Sequence, residues 1–553
     1  MTAAIYYHPE AYTTTGQKLM GRNAAGESFL RGFLKHSRGN RFWVQVQHPE
    51  HAGHFIEAVS RNGRTEPVTT IDKHSLADLS QAGVVYHPGP GLGEQARQRA
   101  LAGGARGHAA WSLCGITHTT SSAGAMDALA ELITAPIQPW DAVICTSHAV
   151  KDNVSRLLQA QQAYLEERLG ISRIVLPQLP VIPLGIHVDD FACSEAQRAV
   201  ARQALGAGAE TLVVLFTGRL SFHAKAHPLA MYQALERAAR SSGKEVVLVE
   251  CGWFANEPIE KAYEAARALA CPGVRVVTLD GRQADQRQMA WAGADVFCSL
   301  SDNIQETFGI VPIEAMAAGL PVVVSDWDGY KDTVRGGVDG FRIPTIMPQA
   351  GLGHDLARRH ALGIDSYDMY CGHNCMLVAI DIDAAAQAFA ALFSAPELRR
   401  RMGESGRQRA RAIYDWQPVI GQYEDLWAAL AERRQAHAPA VSKVPVWPAR
   451  MDPFQAFAAY PTRTLTPQTP LALVDGGVSL ALQRVQQYRQ LAMVSFAQRV
   501  LPGEAEIEAV LGQLASGPQR AELVVGALPA ARRALVFRGL AWLLKMGVVR
   551  IAT

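Results

Sequence analysis

The sequence predicts two doubly wound α/β lobes followed by a small, mainly helical module. Three observations predict this. Short apolar runs alternate with longer amphipathic segments through residues 1–187 and again through 188–414, as strands and crossover helices do in a parallel sheet. The stretch 294–326, ADVFCSLSDNIQETFGIVPIEAMAAGLPVVVSD, reads as strand, polar loop, helix and strand. Composition then shifts: residues 438–470 are rich in Pro and Ala and read as a linker, and residues 471–553 return to helical apolar spacing, marking a separate module.

In the first lobe, Phe42–Val46, Val84–His87, Ala110–Leu113 and Ala142–Thr146 are candidate strands. Within GRNAAGESFLRGFL, Gly21 and Gly26 permit tight turns and helical spacing starts at Ser28, which predicts a ligand-facing loop before a long helix. Arg22 and Asn23 in that loop read equally as ligand contacts or as ordinary loop polarity. Gly89–Gly93, GPGLG, contains Pro90 and reads as a tight turn rather than a dinucleotide loop. His118 follows a strand in a Thr/Ser-rich loop, and DAVICTSHAVKDNV reads as strand, Ser147 turn and helix. VIPLGIHVDDF, with Pro183 and Gly185, joins the lobes.

The second lobe shows strands at Leu212–Thr217, Glu245–Glu250, Arg275–Thr278, Ala294–Ser299 and Pro321–Ser325. The loop after the first of them, GRLSFHAKAHP, carries Arg219 and Lys225 at a strand's carboxyl end, where cations can hold phosphate oxygens. His223 and His227 there read as loop polarity. After the 294–300 strand, a helix is expected from Gly309 to Gly319, with the N–H groups of Phe308, Gly309 and Ile310 open to an anion. Glu306 lies in the loop and Glu314 eight positions on in the helix, so both can face one cleft and accept hydrogen bonds from ligand hydroxyls. Spacing alone leaves equally open that they serve the helix dipole and a solvated face.

Composition sets the bounds. The chain has 553 residues, 48% hydrophobic, with a formal net charge of +2, enough for sizeable cores and too balanced to argue for nucleic acid. No apolar run approaches a membrane span, and the N-terminus lacks a signal pattern, so a cytoplasmic location is expected. Eight cysteines, mostly within strands, fit reduced, buried thiols. The CGHNC cluster at Cys371–Cys375 reads as loop packing rather than zinc binding. Asp326-Trp327-Asp328 and Asp381-Ile382-Asp383 imitate a D-x-D metal motif, but Asp383 suits a helix N-cap. The basic face from Arg399 to Arg411 reads as solvated or, less favourably, as a contact with an anionic membrane surface. Residues 346–375 form an insertion with no chemical account.

The string ETFGIVPIE followed by AMAAGLPVVVSD resembles the E-x7-E signature of retaining glycosyltransferases with the two-lobed GT-B fold, glycosyltransferase family 4 in particular. The resemblance implies two Rossmann-like lobes facing across a cleft, residues 1–187 on the acceptor side and 188–414 binding the donor, with a helix at 415–437 crossing back to the first lobe. It implies a hexosyltransferase that moves a sugar from a nucleoside diphosphate sugar to an acceptor hydroxyl with retention, in glycan or glycoconjugate synthesis, without a metal or other cofactor. Arg219 and Lys225 would hold the diphosphate, Glu306 the sugar hydroxyls and Glu314 the ribose, with His118 reaching the sugar from the other lobe. Gly218, Thr307, Phe308, Gly309 and Ile310 would line the donor, and Gly26 takes the place of the family's glycine-containing first loop. Leu184 and His187 replace residues usual in the lobe linker, and Asp332 takes the acidic place in a loop resembling S-x-x-G-G-x-x-E. The resemblance leaves the acceptor open among a saccharide, a lipid-linked saccharide, a protein and a small molecule. Two alternatives remain: a catalytically silent scaffold, and a nucleotide-sugar epimerase of the same fold. The module at 471–553, faintly similar to a winged helix but without a concentrated basic face, suggests a protein partner.

Overall fold

The computed structural model describes residues 3–13, 21–474 and 477–552. They fall into two compact units, Met1–Val446 and Trp447–Thr553.

The first unit contains two parallel sheets. The first comprises β1 (Ala4–Tyr7), β2 (Phe42–Val46), β3 (Val68–Ile71), β4 (Val84–Tyr86), β5 (Ser112–Ile116) and β6 (Ala142–Ile144), in the order β3-β2-β1-β4-β5-β6. The second comprises β7 (Leu212–Thr217), β8 (Val246–Gly252), β9 (Arg275–Asp280), β10 (Val296–Ser299), β11 (Val322–Ser325) and β12 (Gly340–Ile343), in the order β12-β11-β10-β7-β8-β9. Counted from each lobe's own first strand, both orders are 3-2-1-4-5-6, the doubly wound arrangement. Every pairing in both sheets is parallel. This is the two-lobed GT-B fold.

Helices cover both faces of each sheet, so central strands are buried runs: all seven residues of β8 are buried. The strand expected at Ala110–Leu113 instead begins at Ser112, because the Ala110 N–H is taken by the Gly107 carbonyl and the Ala110 and Trp111 carbonyls accept from Arg434 and Arg99. β1, β3 and β12 carry no long apolar run; β3 and β12 lie at sheet edges, where polar residues face outward.

The lobes are tied by the helix Trp416–Gln435, N-capped by Asp415, whose carboxylate accepts from the Gln417 N–H at 2.9 Å. It lies along the first-lobe helix Gly21–His36, where Glu424 accepts from the Ser37 hydroxyl and the Arg38 N–H, both at 3.0 Å. The Trp416 indole sits between Gly32 and Gly185, and a Cβ on either would stand 2.4 or 2.5 Å from its ring atoms. The chain stays on the first lobe as far as Ala440, whose carbonyl accepts from the His108 N–H at 2.9 Å.

The 346–375 insertion is bracketed by the antiparallel pair β13 (Thr345–Ile346) and β14 (Ala379–Ile380) and holds the helices His354–Ala361 and Tyr367–Cys375.

In the second unit, β15 (Pro470–Leu473) lies between β16 (Gln519–Arg520) and β17 (Val549–Ile551), both antiparallel to it. Leu471, Ile507, Leu511, Val524, Leu540 and Leu543 supply its own core. The last helix, Ala530–Lys545, turns at Gly547 into β17.

Candidate functional site

β7 and β10 are neighbours in the second sheet, and the strand order reverses between them. That places the loop after β7, which carries Arg219 and Lys225, beside the loop after β10, which carries Glu306, at the crevice where doubly wound sheets bind ligands. The Lys225 ammonium donates to Glu306 Oε2 at 2.6 Å. The other oxygen, Oε1, accepts from the Gly309 N–H at 3.1 Å. Burial raises the Glu306 pKa, but Lys225 and the Thr307 and Gly309 amides outweigh it, and the net shift is downward. Arg219 Nη2 donates to the Ala224 carbonyl at 3.0 Å and to Gln305 Oε1 at 3.3 Å.

The helix expected from Gly309 spans Ile310–Ala317 with Gly309 as its N-cap at φ +80°. Glycine is required twice over here, since a Cβ would meet the Tyr330 ring at 1.9 Å. The Gly309 N–H, expected to be open to an anion, is taken by Glu306, and Phe308 is a core residue at 2% exposure. Glu314 projects from this helix half-buried, and its carboxyl has no hydrogen-bond partner among the described residues. Burial pushes its pKa up to about 7, against the pull of Lys225 and Arg287.

The first lobe meets this loop directly. Thr307 donates its hydroxyl to the His118 carbonyl at 3.1 Å, and the Thr307 carbonyl accepts from the Ser147 hydroxyl at 2.8 Å. Ser147 also N-caps the helix His148–Leu169. Asp332 accepts from the His148 N–H at 2.7 Å. His118 lines a cavity of about 210 Å³ with His8, Glu10, Ala11 and Pro88, at the carboxyl ends of β1, β4 and β5.

Several sequence readings are corrected. Gly26 does not turn a loop: it lies inside the helix Gly21–His36, where a Cβ would meet the Ala11 carbonyl oxygen at 1.9 Å, so it permits helix packing. The side chains of Arg22 and Asn23 lie outside the described residues. Asp381, not Asp383, caps the helix Ile382–Ser394 by accepting from Ala384 N–H at 2.9 Å, while Asp383 pairs with Arg237. Cys371 and Cys375 lie buried on a helix rather than in a loop, His373 pairs with Asp365 at 3.1 Å, and no group of three metal ligands occurs among the described residues. On the basic face, Arg399, Arg407 and Arg409 donate to backbone carbonyls, so much of that charge is engaged within the lobe.

Two polar residues of the cleft were not foreseen. Asp328 is the one non-glycine residue with positive φ among those described, at 43°. Its Oδ1 faces the Ser147 hydroxyl at 3.4 Å and its Oδ2 is buried without a partner. Burial and the neighbouring Glu306 push its pKa well up. The sequence signal was the Asp-Gly pair in a post-strand loop, a turn combination. The second, Tyr367, reaches the cleft from the insertion, and no local pattern placed it there.

Residues 211–352 match the family described as glycosyl transferases group 1. The match lies within the second lobe and does not reach the first. The chain is similar to a D-inositol 3-phosphate glycosyltransferase of Xylanimonas cellulosilytica, 32% identical over 181 residues, covering 32% of this chain and 41% of the relative. A lipopolysaccharide 1,2-N-acetylglucosaminetransferase of Salmonella typhimurium is 26% identical over 215 residues, 37% of this chain and 53% of the relative. A phosphatidyl-myo-inositol mannosyltransferase of Mycobacterium leprae is 32% identical over 143 residues, 26% and 28% of the two chains. The match spans about half the length of these relatives or less. Among solved structures, Anabaena Alr3699/HepE in complex with UDP overlays with a TM-score of 0.49 at 17% identity, covering 78% of this chain and all of that one. Sucrose-phosphate synthase from Thermosynechococcus elongatus gives 0.46 at 18% identity, covering 78% and 99%. The fold assignment rests on the strand order of the two sheets.

Proposed function

We propose that the chain is a retaining glycosyltransferase that moves a sugar from a nucleoside diphosphate sugar to an acceptor hydroxyl in glycan or glycoconjugate synthesis. The observation that carries this reading is the convergence of Arg219 and Lys225 from β7 with Glu306 from β10 at the second sheet's switch point, with Glu314 one and a half turns into the adjoining helix. In the proposed step the bond from the sugar C1 to the β-phosphate oxygen breaks and a bond from the acceptor oxygen to C1 forms on the same face. Negative charge grows on the leaving diphosphate, and preorganised cations lower that barrier. Arg219 and Lys225 supply the charge, so the step as proposed uses no metal ion. The acceptor proton passes to the leaving phosphate. Glu306 orients sugar hydroxyls, Glu314 accepts from the ribose, and His118 approaches from the first lobe.

In the resting site Lys225 is bound to Glu306, so donor binding makes this lysine exchange or share its partner. Group 1 relatives named for inositol phosphate, lipopolysaccharide and phosphatidylinositol acceptors support a saccharide or lipid-linked acceptor. Calorimetric titration with a panel of nucleotide sugars tests the donor. Saturable binding of one of them, with transfer giving the donor's own anomeric configuration by NMR, is expected. No binding across the panel, or an inverted product, refutes the reading.

A further inference from the structure

The helix Tyr367–Cys375 of the insertion packs on both donor loops at once. On the loop after β7, Gly372 lies so close to His223 that a Cβ would stand 2.9 Å from the histidine Cβ, and the Cys375 thiol lies 3.6 Å from the Phe222 carbonyl. On the loop after β10, the same thiol faces Asp302 Oδ1 at 3.1 Å, and that carboxyl also accepts from the His227 N–H at 3.1 Å. The two loops are joined again where the Asn303 amide donates to the His223 carbonyl at 3.0 Å. The C-terminal half of this helix is therefore fixed to the donor lobe.

Its N-terminal end points the other way. The Tyr367 hydroxyl lies 3.0 Å from Ser121 Oγ and 3.4 Å from Thr119 Oγ1, both in the first-lobe loop that carries His118. The same hydroxyl accepts from Gln305 Nε2 at 3.1 Å, and Gln305 Oε1 accepts from Arg219. A neutral amide is thus held with its oxygen toward the guanidinium and its nitrogen toward the phenol. One hydroxyl closes a chain that runs from Arg219 in the donor lobe, through Gln305, to Ser121 in the acceptor lobe.

The geometry points to Tyr367 as a positioning residue of the transfer reaction, which orients Arg219 through Gln305 and sets the His118 loop through Ser121 when the lobes are closed. This rests on the reading of Arg219 as a diphosphate ligand. A phenol suits the task because it can accept from Gln305 and donate to Ser121 at the same time. Phenylalanine would keep the ring and lose both links. The insertion that lacked a chemical account becomes the arm that carries this hydroxyl.

The test compares the full-length chain with Tyr367→Phe, Ser121→Ala and the double variant. Loss of the Gln305 link that orients Arg219, a hydrogen bond of ordinary strength, predicts a fall in kcat of about threefold to tenfold for Tyr367→Phe. The donor KM should stay within about twofold and the melting temperature should fall by only a few degrees, as loss of ordinary hydrogen bonds implies. The double variant should fall no further than Tyr367→Phe alone, because a single link cannot be broken twice. Amide hydrogen exchange in residues 117–122 should quicken in Tyr367→Phe, a readout that needs no sugar transfer. Unchanged kcat with unchanged exchange, or independent multiplicative losses in the double variant, would overturn the proposal. A chain that transfers from no donor would refute the catalytic reading separately, and the exchange measurement would still decide whether Tyr367 holds the first-lobe loop.

Discussion

Lys225 Nζ lies 2.6 Å from Glu306 Oε2, so the ammonium assigned to the diphosphate and the carboxylate assigned to the sugar neutralise each other in the resting cleft. Lys225 helps hold the Glu306 carboxyl below the usual carboxylate range against its burial. Alanine at Lys225 removes a proposed diphosphate ligand and strands a buried carboxylate, and alanine at Arg219 removes the second proposed cation. Either change should lower kcat/KM for transfer by a factor on the order of a hundred or more, as for loss of a charge-stabilising donor. Steady-state kinetics with the cognate nucleotide sugar checks this, and near-normal transfer would remove both residues from the mechanism.

Glu314 and Asp302 predict how stability depends on pH. Burial pushes both carboxyls up to about 7, against ordinary values near 4 in the unfolded chain. Between those values the folded chain holds protons that the unfolded chain has released, so unfolding free energy falls as pH rises from about 4 to 7. Below about pH 4 both states are protonated and the effect is gone. The decline is the contribution of these two groups alone, so the difference in urea midpoint between Glu314→Gln with Asp302→Asn and the wild type should shift in the variant's favour as pH rises from 4 to 8. A difference that stays constant or moves the other way would contradict the assignment.

How much of this was legible depends on where each signal lies. β7 was bounded correctly because five consecutive residues, Leu212 to Phe216, are buried on both faces of a central parallel strand. β1, with four residues, and the edge strands β3 and β12 gave no comparable run. Arg219, Lys225 and Glu306 stood out because each lies in a loop directly after a central strand, where sequence position fixes the sheet edge. Gly26 was misread because a glycine that opens a turn and one that admits a neighbour's carbonyl look alike in sequence; only Ala11, distant along the chain, tells them apart. Asp328 and Tyr367 act through Ser147 and Ser121 in the other lobe, contacts that no local pattern encodes.

Gly32 and Gly185 grip the Trp416 indole from two separate segments, and neither leaves room for a methyl group. Gly32→Ala or Gly185→Ala should each cost about 1–3 kcal/mol by overpacking, because the indole is also held by its N–H bond to Ser28 Oγ at 2.8 Å and cannot simply rotate away. Thermal melts of the two variants measure the loss. Trp416→Leu in the Gly32→Ala background should recover part of it, and a Gly32→Ala chain as stable as the wild type would show that the crossing helix is not clamped there.

Asp328 supplies a prediction in which backbone and charge can be separated. Its φ of 43° is a conformation that costs a side-chain-bearing residue about 1 kcal/mol relative to glycine, and Oδ2 is buried without a partner. Because its pKa is raised in the folded chain, the carboxyl keeps its proton while the unfolded chain releases one, so its penalty is absent at pH 3 and grows with pH above the ordinary aspartate value. Asp328→Gly removes both costs and Asp328→Asn removes only the titration. The glycine variant should therefore be more stable than the wild type at pH 4 by about 1 kcal/mol, and by more at pH 8. The asparagine variant should match the wild type at pH 4 and exceed it at pH 8. Urea unfolding at the two pH values gives all the comparisons. A glycine variant less stable at both would mean that the Ser147 contact at 3.4 Å outweighs strain and burial together.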